Sequence, residues 1–207
     1  MNGYKNTFKS NNSKKLQYIN LLILHSSNQV TDLFRSMLAE LGFSNVYAAH
    51  SGFEGVRYLR EIKIHLIITD WVLQAAQEDP QDSGSVITDK EALLTGIDFV
   101  KKIRRWPASP NSLVPIIMFA DTVEKLQVMM ARDAGVNEVC LRPLNAMDLC
   151  RRIIAIIDTP RIFITSESYR GPCRRAQTGK IRFSQKEERR KREIRIITHN
   201  ETTKWSL

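Results

Sequence analysis

Four short apolar runs punctuate the chain: Leu21 to Leu24, Leu66 to Ile68, Pro115 to Phe119 and Val139 to Leu141. Helix-like sequence parts each from the next. Runs of this length without alternation fit strands buried on both faces, as in a parallel sheet covered by helices. Asn45 to Ala49 reads as a further strand. After the first run, Val30, Leu33, Phe34, Met37, Leu38 and Leu41 recur at helical spacing. Ser27 or Asn28 can cap that helix, and Gly42 stops it. More helices are predicted over about 52–62, 97–105 and 123–134. A last one is capped by Asn145, carries Met147, Leu149, Ile153, Ile154 and Ile157, and is stopped by Thr159-Pro160. Five βα units in succession predict an α/β, doubly wound, five-stranded parallel sheet. Ligands of such sheets gather at the carboxyl ends of the strands. Asp70 stands at one of those ends, although an Asp there also serves as a helix cap or turn former.

Charge divides the 207 residues into parts. Residues 1–17 hold four Lys and no acid, and residues 159–207 hold 13 Lys and Arg against five Glu. The middle, 18–158, is mildly acidic, so the net +9 resides in the arms. We therefore divide the chain into a basic extension (1–17), a domain (18–158) and a basic tail (159–207). The domain carries a polar insertion at about 74–95, and the tail is expected to be partly helical or disordered. Basic arms suit acidic proteins, nucleic acid or anionic lipid. No apolar run approaches the roughly 20 residues of a membrane span, and no secretory signal is evident, so the cytoplasm is the expected location. Cys140, Cys150 and Cys173 have no metal-ligand spacing. The first two read as core thiols and Cys173 as exposed. The four histidines are scattered and suggest no zinc site.

A set of short motifs carries a resemblance. Leu41-Gly42-Phe43 is followed by Val46 and Ala49, then by Ser51-Gly52 and Leu66-Ile67-Ile68-Thr69-Asp70. Thr95-Gly96-Ile97-Asp98 with Ile103-Arg104, Val114 to Met118, Ala134-Gly135 and Arg142-Pro143 complete the series. In order and spacing it resembles the CheY-like receiver domain of bacterial response regulators. The resemblance implies a flavodoxin-like strand order, 2-1-3-4-5, and a role in two-component or phosphorelay signalling. Asp70 takes the place of the family's phosphoacceptor. Its two Mg²⁺-holding acids correspond to His25-Ser26, its Ser or Thr switch to Ala120, its Lys to Arg142, and the metal-binding carbonyl to Val72. A hard cation fixed by carboxylates loses most of its site by these changes. The expectation is therefore a non-enzymatic module that meets a histidine kinase or downstream target without a cofactor. Arg142 is expected to pair with Asp70 itself. Mg²⁺, held by Asp70 and Val72, enters only if Asp70 is phosphorylated, the alternative reading. Asp121 or an insertion acid (Glu78, Asp79, Asp82, Asp89) could then enter the site. His25 is expected to be a polar filler near the sheet's edge.

In the tail, Tyr169-Arg170-Gly171-Pro172-Cys173-Arg174-Arg175 faintly resembles a Tyr-x-Gly-Pro-x-Arg-Arg segment behind some single-receiver proteins. Tyr169, Gly171, Pro172, Arg174 and Arg175 thus form a candidate partner-binding peptide, or one that folds back over the domain. Lys186 to Arg192 is a charge run with helix-forming composition. A solvated helix is the simplest account of it, and salt-dependent nucleic-acid binding through residues 180–195 is the rival. Removing residues 161–207 is expected to leave the domain folded.

Overall fold

The computed structural model describes residues 16–73, 95–107, 109–122, 124–143, 145–167, 169–174 and 195–197. Strands β1 (Asn20–Leu24), β2 (Asn45–Ala49), β3 (Leu66–Asp70), β4 (Ile116–Ala120) and β5 (Glu138–Leu141) pair in parallel. Their order is β2-β1-β3-β4-β5, the flavodoxin-like order expected from the sequence. Helices α1 (Asn28–Glu40), α2 (Gly52–Glu61), α3 (Gly96–Arg105), α4 (Lys125–Ala134) and α5 (Ala146–Asp158) connect them.

Successive strand residues point to opposite faces, so each strand feeds two apolar layers. Leu22, Leu24, Ile67, Ile116 and Met118 join Val56, Leu59, Val100 and Ile103 from α2 and α3. Leu21, Ile23, Leu66, Ile68 and Phe119 join Leu38, Leu149 and Ile153 from α1 and α5. Leu16 also packs into this second layer, so the folded domain begins before residue 18 and the basic extension is correspondingly shorter. In α1 the predicted stripe loses Leu33, which is exposed. It lies about 100° around the helix from Phe34, whose ring stacks on Phe119 at 5.2 Å. Ser51, Thr95 and Asn145 cap their helices by accepting from the backbone N–H three residues on.

The fold continues past Pro160. Strands β6 (Phe163–Thr165) and β7 (Arg170–Pro172) form an antiparallel hairpin, and β8 (Arg195–Ile197) pairs with the other edge of β6. The expectation of a partly helical or disordered tail is corrected for these segments. The cause is Arg104. It lies on the core face of α3 and is fully buried, with no carboxylate beside it in any described contact. Its guanidinium donates to Gly135 O (3.1 Å), Ser112 O (2.8 Å) and Asn137 Oδ1 (3.2 Å). Burial pushes its pKa down to about 9, so it keeps its charge at neutral pH. Phe163, also fully buried, covers it with its ring centroid 5.0 Å from the guanidinium carbon.

Two glycines let the hairpin approach. Gly135 ends α4 at φ 102°, and a Cβ there would lie 2.8 Å from Arg170 O. A Cβ on Gly171 would lie 2.8 Å from Gly135 Cα. Tyr169 Oη donates to Pro172 O at 2.8 Å. Arg174 stacks on the Tyr169 ring at 4.1 Å and reaches Asp133 at 2.8 Å. Of the two readings of this peptide, Tyr169, Gly171, Pro172 and Arg174 follow the second and fold back onto the domain. Cys173 is buried, not exposed, because its N–H donates to Ile162 O at 2.7 Å and closes the hairpin. Arg175, residues 180–194, most of the 74–95 insertion and the extension before Leu16 lie outside the described residues.

Candidate functional site

Strand order brings the site together. Because β1 lies beside β3 with Leu24 opposite Thr69, the next residues, His25 and Asp70, become neighbours. His25 Nε2 is 3.2 Å from Asp70 Oδ2, and both residues are buried. The His25 ring has a defined tautomer. Its Nδ1 accepts from the Ser27 N–H at 2.9 Å, so in the neutral ring the proton is on Nε2, which donates to Asp70. His25 is thus not a filler near an edge. The end of β1 is interior to the sheet, and the backbone of His25 is held by Ala49 O and the ring of His50.

Arg142 arrives from the end of β5, where its N–H donates to Ala120 O at 3.0 Å. Its Nη2 lies 3.3 Å from Asp70 Oδ1 and its Nε 2.7 Å from Asp121 Oδ1. Asp70 Oδ1 also accepts from the Trp71 N–H at 2.7 Å. Both Asp70 oxygens therefore have donors. Arg142 Nη1 stands 3.2 Å from His25 Nε2. Both atoms carry protons in this tautomer, so that contact is repulsive. Burial is the main force holding the His25 pKa below the ordinary value. Asp70 raises it, Arg142 lowers it, and the net direction is down.

The other site positions fall around this cluster. Ser26 is half-buried, and Ala120 presents a buried methyl where a hydroxyl would be needed for a switch. Asp121 enters as the outer partner of Arg142, with its carboxylate mostly in water. Val72 is exposed and bridges to Thr95, while the Gly96 N–H donates to Trp71 O at 2.9 Å. The two ends of the insertion thus meet directly beside Asp70. Trp71 packs against the core.

These residues do not fit a Mg²⁺ site. A hard cation needs oxygen ligands. Here the end of β1 offers an imidazole committed on both nitrogens, and a guanidinium occupies the space beside Asp70.

No protein-family model matches the chain. Curated relatives do. The chemotaxis protein CheY-3 of Vibrio cholerae serotype O1 is 23% identical over 138 residues, covering 67% of this chain and 91% of its own length. CheY1 of Helicobacter pylori is 26% identical over 140 residues, covering 67% and 97%. The solved structure of the chemotaxis response regulator CheY4 of V. cholerae superposes with a TM-score of 0.53 at 18% identity, covering 67% of this chain and 98% of that one. This chain carries a CheY-like receiver domain. A solved two-component response regulator from Clostridium difficile shares this fold at 20% identity with a TM-score of 0.53, and no helix among the described residues is long and apolar enough to cross a membrane.

Sequence reasoning placed Asp70 and Arg142 at this receiver's site but missed the contribution of His25. The signal was available: in a 2-1-3 order, the residue after β1 abuts the end of β3. The geometry carries a pH prediction. His25 and His65 are both held below their ordinary pKa, chiefly by burial. The unfolded chain therefore binds protons first, so their contribution is complete above about pH 6.5 and declines as pH falls below it. Urea midpoints are expected to fall between pH 7.5 and pH 5.0. His25→Gln should flatten part of that fall, and an unaltered slope in the variant would count against a buried neutral His25.

Proposed function

We propose that this receiver signals by protein–protein contact in a two-component or phosphorelay pathway, with Asp70 neutralised by Arg142 rather than by a phosphoryl group. The expected partner is a histidine kinase or a downstream target, and the setting is the cytoplasm. The observation that supports this reading is the engagement of both Asp70 oxygens by His25, Arg142 and the Trp71 N–H. An attacking carboxylate needs a free oxygen and a cation to absorb the developing charge. Here the cation is a fixed guanidinium, and the hydroxyl that would report a bound phosphoryl group is replaced by Ala120. The arrangement is that of a receiver held in one state, which makes it a constitutive interaction module and not an enzyme.

The test is intact-mass analysis of the full chain after treatment with acetyl phosphate and Mg²⁺, with Asp70→Asn in parallel. No phosphate adduct is expected in either protein. An adduct present in the wild type and lost in the variant would establish a phosphorylatable receiver and overturn the proposal.

A further inference from the structure

All five strands of the main sheet run the same way, so the loops entering them lie at the pole opposite Asp70, about 16 Å away for a five-residue strand. At that pole, a cavity of about 530 Å³ opens between the end of α2, the Ser109–Leu113 loop and Arg170 of the hairpin. Its size is in the range of small-molecule sites. Among the described residues, two buried side-chain polar atoms have no hydrogen-bond partner: Ser109 Oγ and Arg170 Nε. Both belong to residues that line this cavity. Buried polar groups in folded proteins are nearly always paired, so two orphans on residues that line one concavity point to a polar partner at this place. Charge narrows its class. Among the described residues, Arg60, Lys63 and Arg170 line the cavity against a single acid, Glu61, and Arg60 is additionally held over the Trp106 ring at 5.0 Å.

We propose that this basal cavity binds a small oxyanion, the phosphate or carboxylate group of a soluble metabolite. A guanidinium presents parallel N–H donors that match either group, and the Ser109 hydroxyl supplies a neutral donor beside it. Water could satisfy Ser109 alone, but the excess of positive charge selects an anion. Because Arg170 comes from β7, the ligand ties the hairpin to the receiver's base, and occupancy of the cavity reinforces hairpin docking.

The experiment follows backbone amide shifts of the ¹⁵N-labelled full chain. Inorganic phosphate is titrated in one arm and citrate in the other, each against sodium chloride of matched ionic strength. Saturable shifts are expected at Ser109, Asn111, Ser112, Leu113 and Arg170. The tighter of the two anions identifies the ligand class. Arg170→Gln removes a charge-assisted donor and should weaken binding by roughly tenfold or more, and Ser109→Ala by about threefold. Ser109→Ala leaves the hairpin intact, so it reports on the site even if Arg170→Gln loosens β7. Arg142→Gln should leave these shifts unchanged, which separates this cavity from the Asp70 cluster. Shifts that never saturate, that chloride reproduces, or that centre on Asp70 and Arg142 would overturn the proposal.

Discussion

Phe163→Ala is expected to lower the unfolding free energy by about 3–5 kcal/mol, the usual range for removing a fully buried Phe. Three effects add in the same direction. The side chain is completely buried, so its apolar surface returns to water and a void remains. Its ring is also the cover over Arg104, a buried cation whose other partners are two carbonyls and one Asn side chain. Finally, β6 is the central strand of β7-β6-β8, so loosening it releases both neighbours. Ile164 is the internal comparison. It points to the opposite face of β6 and is only half-buried, so Ile164→Ala should cost clearly less. Urea unfolding of the two variants measures the difference. Equal losses would mean that hairpin pairing, not the Phe163 contact, holds this unit. A chain ending at Thr159 should be destabilised in the same way, since it exposes Arg104. The boundary drawn at Pro160 from sequence therefore severs a packed element.

Strands β1, β3 and β4 were legible because burial on both faces leaves no polar residue in Leu21–Leu24, Leu66–Ile68 or Ile116–Phe119. Helix ends were legible where a cap or an αL glycine is required, as at Asn145 and Gly135. The hairpin gives no such pattern. β6 is three residues long, and β7 reads Arg-Gly-Pro, which no strand propensity favours. Its signal lay elsewhere, in the stripe of α3. Ile97, Val100, Ile103 and Arg104 fall on one face, and a cation at a core position demands carbonyl partners and a cover. Arginines in helices are usually solvated, so an Arg in this stripe does not by itself announce a buried cation. The Asp70–Arg142 contact was foreseeable from place alone. The third member, His25, follows from the expected 2-1-3 adjacency, which sets the residue after β1 against the end of β3.

Gly96→Ala is expected to be costly at the other pole, by about 2–3 kcal/mol, within the range for overpacking a filled site. A Cβ at this position would lie 2.0 Å from Asp70 O and 3.0 Å from Thr69 Oγ1. Neither neighbour yields easily. Asp70 is paired with Phe119 across β3 and β4, and the Thr69 hydroxyl donates to the same Asp70 carbonyl at 3.1 Å. The start of α3 is fixed as well, by the Thr95 cap, the Val72–Thr95 bridge and the Gly96 N–H to Trp71 O. The clash must therefore move either α3 or the end of β3, and the second choice carries the Asp70 carboxylate with it. Imidazole ¹⁵N signals distinguish the outcomes. If β3 yields, the His25 Nε2–H contact with Asp70 is disturbed and the His25 resonances shift. If α3 yields, they stay in place while urea unfolding still reports the loss. Phe163→Ala acts a strand length away and should leave the His25 signals unchanged. A Gly96→Ala protein with wild-type stability and an unaltered His25 would show that the close packing of Gly96 on the Asp70 backbone contributes nothing to holding the site.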